Sequence, residues 1–304
     1  MTKFIDIHGF AVKEHSMPIP RKGDGKLIHP QCTAEELIGF YDQLGIEKGI
    51  VNVEVSEASF QTMSNEEIID ICAAHPDRLV PGCNIDPRNY FNDMTSPFGE
   101  VFKWYKDKGC RIVGEIDCSM RILDERTQNL FKGAEEAGLP VNFHMAPFVE
   151  NTYGLADLPG MPGLELSLQR FPNLKFFGHS KTFWCEITKY NGQSARFSYP
   201  KTKVKKEGRI QELMRKYPNL YGNLSAGSGF NALARDRAYA AKFLTEFQDR
   251  LCFGTDICSP ESQRENPPDR ELSWLLRDML DKGEISETVF DKVAAGNARR
   301  IFGV

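Results

Sequence analysis

The sequence predicts an α/β fold of the (β/α)8 TIM-like barrel class, one domain over residues 1–304. Three observations carry this expectation. Eight short apolar runs alternate with helical patterns along the whole chain. Several of these runs are too uniformly apolar for a half-solvated sheet, as expected of parallel strands covered on both faces. The length, 304 residues, accommodates the roughly 250 that one such barrel uses. An open doubly wound sheet is the structural rival.

The first run, residues 4–8, is followed by a long connection, 9–32, holding Pro18, Pro20, Gly23, Gly25 and Pro30. Thr33 then opens a helix, with Glu36 at capping-box spacing. Residues 49–53 form the second strand, and Ser64 with Glu67 repeats the capping pattern before Ile68. Residues 79–85 and 110–116 supply the third and fourth strands. A helix fits 124–137 and stops at Gly138-Leu139-Pro140. The fifth strand, 141–144, leads to a helix at 164–170, a turn at Phe171-Pro172-Asn173 and the sixth strand, 174–179. A second long connection, 180–208, carries Lys201, Lys203, Lys205 and Lys206, read as solvated surface. Helix 209–216, strand 220–224, helix 231–247 and strand 251–256 follow. The third long connection, 257–268, precedes a helix at 270–282. All three long connections leave carboxyl ends of strands, where barrel enzymes place their chemistry. Binding loops or lids are expected there, with surface decoration as the alternative.

Hydrophobic residues make up 41% and charged residues 26%, with a net charge of −4. That composition excludes a disordered chain and gives no electrostatic reason to expect nucleic acid. The opening MTKFIDIHGF lacks a secretory pattern, and no run of about 18 apolar residues occurs. The eight cysteines form no C-x-x-C pair. Reduced, buried thiols in a cytoplasmic protein with no membrane partner are expected.

Three of the six histidines end strands: His8, His144 and His179. Asp256 ends the eighth. Imidazole and carboxylate at one barrel face suit a divalent ion. Asp6 and His8 stand two apart on a strand and so share a face.

In Ile5-Asp6-Ile7-His8, Phe143-His144, Phe177-Gly178-His179, Phe253-Gly254-Thr255-Asp256 and the closing Gly296-Asn297-Ala298-Arg299-Arg300-Ile301-Phe302, the chain resembles the amidohydrolase superfamily, in its amidohydrolase-related (amidohydrolase-2) branch. The resemblance spans essentially the whole chain. It implies a distorted barrel holding one or two divalent metals at its carboxyl end. Where that family usually has His-x-His on the first strand, Phe10 stands at the second position. The pattern instead resembles the acid-x-His strand of the branch's non-oxidative decarboxylases. Carried over, the ligands of one metal, Zn or Mn, would be Asp6, His8, His144 and Asp256. Asp6 has the alternative of supporting a ligand from behind. His179 is either a further ligand or, as preferred with Phe10 present, a hydrogen-bonding group for water or substrate. Glu115 is left outside the metal set.

Arg88 is a candidate clamp for a substrate carboxylate, with a surface ion pair as its alternative. Trp184, beside Phe183, is a candidate pocket wall, with core packing as its alternative. The function this implies is a metal-dependent hydrolase. In it, Asp256 takes a proton as water attacks the amide, ester or lactone carbonyl of a small molecule, and His179 steadies the oxyanion. The alternative is decarboxylation of an aromatic or unsaturated acid, and a ligand-binding barrel without turnover is the third reading. Relatives of this kind are often homo-oligomers.

Overall fold

The computed structural model describes residues 2–56, 62–189 and 193–304. Part of the 180–208 connection, residues 190–192, therefore lies outside the described residues. Eight strands build the barrel: β1 (Phe4–Gly9), β2 (Ile46–Val51), β3 (Leu79–Pro81), β4 (Val113–Ile116), β5 (Val141–Ala146), β6 (Phe176–His179), β7 (Leu220–Asn223) and β8 (Leu251–Cys252). Each falls on or against one of the eight apolar runs. Parallel ladders join β1 to β2 and β2 to β3. Further ladders run from β4 through β5, β6 and β7 to β8. The bridge Cys83–Val113 links β3 to β4. The ring closes between β8 and β1, through the bridge Gly9–Ile257 and the bonds Ile7 N to Phe253 O and Asp256 N to His8 O, 3.2 and 2.7 Å.

The helical layer follows from its caps. Thr33 and Glu36 make the expected reciprocal capping box on α1 (Ala34–Leu44). Ser64 caps Glu67 N, but the Glu67 carboxylate turns to the Lys13 backbone N–H instead of returning the bond. Two expectations need correction. The helix expected at 231–247 is two helices, Ala226–Ala234 and Arg237–Glu246, because Asp236 leaves helical geometry and its carboxylate caps the Tyr239 N–H. The third, seventh and eighth strands end earlier than their apolar runs, since the residues beyond leave the ladders to line the carboxyl face. The helix Phe98–Asp107 escaped the sequence, having only Pro97 and no side-chain cap at its start. The long connections carry short elements of their own, including helices Lys181–Cys185 and Pro260–Glu265. All eight cysteines are free, and seven are buried. No helix among the described residues is long and apolar enough to cross a membrane.

One buried carboxylate ties the ring where it closes. Asp6 Oδ1 accepts from the backbone N–H of His8 and of Thr255, at 2.8 and 2.9 Å. Its Oδ2 accepts from the Thr255 and Tyr41 hydroxyls, at 2.5 and 2.8 Å. Tyr41 belongs to α1 and reaches the barrel wall through a notch between β1 and β2. The notch exists because Gly9 and Gly49 face it, and a Cβ on either would overlap the Tyr41 phenol. Gly49→Ala should therefore lower stability by about 1–3 kcal/mol, the usual cost of overpacking, read as a shift in the urea midpoint at unchanged slope. A wild-type midpoint would show that the notch has no structural role.

Candidate metal centre

The carboxyl ends of the strands bring five side chains together. His8 lies in β1, Glu115 in β4, His144 in β5 and His179 at the end of β6, while Asp256 follows β8. Glu115 stands in the middle. Its Oε2 lies 3.2 Å from His8 Nε2, and its Oε1 lies 2.9 Å from both His144 Nδ1 and His179 Nε2. His8 Nε2 is 3.7 Å from Asp256 Oδ1, and His179 Nε2 is 3.2 Å from His144 Nδ1. One donor atom each from His8, Glu115, His179 and Asp256 falls within 4.8 Å of the others. Opposite ligands of one ion at about 2.1 Å stand about 4.2 Å apart, so this nitrogen and oxygen donor set fits one divalent ion with small adjustments.

The electrostatics divide the two central carboxylates. Burial would raise the Glu115 pKa, but the adjoining His8 and His179 hold it well below the usual range. Burial pushes Asp256 up to about 6, although His8 and His179 pull it down. The same two histidines therefore leave the carboxylates apart, Glu115 pushed down and Asp256 up. Exposure divides them too. The side chains of His8, Glu115 and His179 are 0%, 4% and 2% exposed, whereas that of Asp256 is 23% exposed.

Behind the cluster runs a row of asparagines from β2, β5 and β7 and the loops beyond. Asn52, Asn142 and Asn223 are joined end to end, and Asn223 reaches His8 Nδ1. Ser225 Oγ touches both His8 Nδ1 and His179 Nδ1. Gly254 makes room for this row: a Cβ there would lie 2.6 Å from Asn223 Oδ1 and 2.8 Å from Ser225 Cβ. The Tyr153 ring leans on His144, with centroids 4.3 Å apart.

The structure brings together His8, His144, His179 and Asp256 as sequence reasoning expected them to meet. The set of mutually close donors, however, includes His179, preferred there as a hydrogen-bonding group, and not His144, expected there as a ligand. The structure departs from that reasoning at five other places. Asp6 is corrected as a metal ligand, because its oxygens are taken by the four hydrogen bonds described above. Glu115, left outside the metal set, is the centre of the cluster. Its place at the end of the fourth apolar run was the available signal. Trp184 is corrected as a pocket wall: it is 2% exposed, packs on Phe183 and Phe243, and gives its Nε1–H to the Asn223 carbonyl. Arg88 holds Asp86 through Nε and Nη2, at 2.7 and 2.5 Å, which is the ion-pair alternative. The asparagine row was missed. Its signal was one amide side chain in each of three apolar runs.

A cavity of about 790 Å³ opens over Asp256. The long connections wall it, with Ile19, Ile28, Tyr199 and Ser262 among its lining, together with Phe230 and Leu272.

Residues 197–304 match the family model described as amidohydrolase. No curated protein matches the chain. Among solved structures, an uncharacterised TIM-barrel protein from Bordetella bronchiseptica is 19% identical with a TM-score of 0.63, over 99% of both chains. A probable 2-pyrone-4,6-dicarboxylic acid hydrolase from Acinetobacter baumannii, with citric acid bound, is 15% identical with a TM-score of 0.58, over 100% of both. A dihydroxybenzoic acid decarboxylase from Polaromonas, with bound manganese and the inhibitor 2-nitroresorcinol, is 14% identical with a TM-score of 0.56, over 100% of this chain and 97% of that one. The structural likeness bears out the barrel. The family match bears out the resemblance to the amidohydrolase-related branch, and with it the expectation of an enzyme.

The contrast between Asp6 and Glu115 is testable. Asp6→Asn should destabilise the fold by about 1–3 kcal/mol, as unsatisfied buried donors do, while leaving zinc affinity within a few-fold of wild type. Glu115→Gln should weaken zinc binding at least about 100-fold. Equilibrium unfolding and chelator competition measure the two. Loss of zinc in Asp6→Asn without loss of stability would return Asp6 to the ligand set.

Proposed function

We propose that this chain is a metal-dependent hydrolase acting on the carbonyl of a small ester, lactone or amide. The observation that carries the reading is the placing of Asp256. It is the one cluster carboxylate that also lines the cavity, and burial raises its pKa to about 6. A general base works best when its pKa lies near the working pH. Glu115, His179 and Asp256, with His8 beside them, would hold a divalent ion, Zn or in its place Mn. Bound there, the ion would supply Lewis acidity, lowering the pKa of a water toward about 7 and polarising a carbonyl.

The residues then divide the work. Asp256 takes the proton of the attacking water and returns it to the leaving group. Glu115 stays ionised and fixes the three imidazoles. His179 faces Glu115 and not the cavity, so it orients the centre and leaves the oxyanion to other groups. The cavity, about 790 Å³ with apolar Ile19, Ile28, Phe230 and Leu272 in its lining, suits a small molecule with an apolar body.

Decarboxylation of a carboxylated aromatic is the second reading. It is supported by the likeness to the Polaromonas decarboxylase. It is also supported by Lys201 and Arg270 on the cavity lining, two cations suited to a carboxylate.

The assay is a panel of lactones, esters and amides beside hydroxylated benzoates, with zinc- and manganese-loaded protein. Label from H₂¹⁸O in the product supports hydrolysis, whereas carbon dioxide release without label overturns it in favour of decarboxylation. On the best substrate, kcat/KM should fall on the acid side of the pH profile, because protonated Asp256 cannot accept a proton. Asp256→Asn should lower kcat by about 10²–10⁴-fold, the usual share of general acid–base catalysis, with the fold retained. Full turnover in that variant would remove Asp256 from the mechanism.

A further inference from the structure

The connection after β1 carries an antiparallel hairpin of its own, Ile19–Pro20 against Leu27–Ile28. Its turn is closed by the bonds Arg21 N to Lys26 O and Gly25 N to Arg21 O, 2.8 and 3.0 Å. Ile19 pairs with Ile28, and Pro20 with Leu27. Cross-strand partners share a face, so Ile19 and Ile28 stand together on one side, and both line the cavity over Asp256. Leu27, on the other side, is 63% exposed. No residue from 13 to 29 is buried. The hairpin thus covers the cavity with one apolar pair and has no buried anchor of its own.

Charged groups tether it. Glu261 and Glu265 stand one turn apart in helix Pro260–Glu265 and so share a face. Glu265 takes both legs: Oε2 lies 2.7 Å from Arg21 Nη1, and Oε1 lies 3.0 Å from Lys26 Nζ. Glu261 holds the base of the second leg. Its Oε1 accepts from His29 Nδ1 and its Oε2 from the His29 backbone N–H, both at 2.9 Å. At the base of the first leg, His15 Nε2 lies 3.0 Å from Glu36 Oε2, and the His15 ring lies over that of His29, with centroids 4.0 Å apart. The side chains of Lys26 and Glu265 are 62% and 45% exposed. Exposed ion pairs hold weakly, and they weaken further as salt screens them.

We propose that the hairpin is a flap over the cavity, latched to helix Pro260–Glu265 through Glu261 and Glu265. Closed, it sets Ile19 and Ile28 against the apolar body of the substrate. Open, it admits the substrate to Asp256. Below the hairpin the two legs meet at buried Val12 and Cys32, joined by the bond Val12 N to Cys32 O at 2.8 Å. The arm beyond that point can therefore move without disturbing the strands that carry the cluster. The latch, and not the core, decides how often the cavity opens. The proposal rests on the reading of this cavity as the substrate site and is independent of which bond is broken there.

The test uses the full chain and no substrate. Deuterium exchange of the backbone over 15–29 is followed by mass spectrometry as NaCl rises from about 0.02 to about 0.5 M, which shortens the Debye length from about 20 to about 4 Å. In parallel, N-ethylmaleimide labels Cys258, which lines the cavity and is the one cysteine that is not buried. In wild type both rates should rise about 10-fold with salt, while exchange in β5 and β6 stays unchanged. In the double variant Glu261→Gln/Glu265→Gln both rates should already be high at low salt and no longer respond to it. Rates in wild type that ignore salt overturn the proposal. So does a double variant that matches wild type at low salt, or faster exchange with unchanged labelling of Cys258. The salt series needs no variant, so a misfolded variant does not spoil the test. Neither rate depends on turnover, so protein that behaves as expected in both and hydrolyses nothing would overturn the hydrolase reading alone.

Discussion

Every polar side chain inside this barrel has to find its partners there, because an unsatisfied buried donor or acceptor costs about 1–3 kcal/mol and a buried lone charge costs more. Much of the architecture follows from how that constraint is met. At the seam between β1 and β8, Asp6 is satisfied by two backbone amides and two hydroxyls. The same seam sets His8 opposite Asp256 through the Asp256 N to His8 O bond. Further across, the asparagine row closes its own bonds and ends on His8. Glu115 closes the stack among three imidazoles. The cluster is therefore held from behind by a chain of obligatory bonds, which is what positions catalytic groups to within fractions of an ångström.

The barrel was legible because its evidence is periodic and repeated. Eight buried runs and their caps each point to the same architecture, and no single element decides it. What the sequence blurs is where each strand yields to the site. Apolar residues continue past the end of three ladders, since Ile85, Leu224 and Phe253 are buried at the carboxyl face and not in a sheet. The helix expected at 231–247 was blurred in the same way. Its apolar pattern continues through Asp236, and only the cap formed by that carboxylate shows the break.

The site was legible by position and less so by role. His8, His144, His179 and Asp256 were found because they end strands of one barrel face. Asp6 was misassigned because two residues on one face of a strand look equivalent in sequence, while in space they occupy successive layers. The lower layer at Asp6 belongs to Thr255 and Tyr41, and the upper layer at His8 belongs to Glu115. Glu115 was undervalued for the opposite reason. A lone carboxylate at a strand end gives no hint of how many imidazoles it will meet, and that count is a property of barrel closure. Trp184 shows the limit for aromatic residues: helix Lys181–Cys185 turns it inward, where its N–H is needed by the Asn223 carbonyl.

The division between a sealed cluster and an exposed Asp256 also bears on how such a chain takes its substrate. His8, Glu115 and His179 are buried and tied to strands, so changes in the loops do not disturb them. The cavity above is walled by the connections after β1, β6 and β8, which carry their own short helices and strands. Asp256 stands where the two meet, at a backbone φ of 62°, a left-handed conformation that few residues other than glycine adopt. Aspartate tolerates that region better than most, and there its backbone N–H bonds His8 while its side chain lines the cavity. The chemistry is thereby built into the strands and the choice of substrate into the loops, with one residue belonging to both.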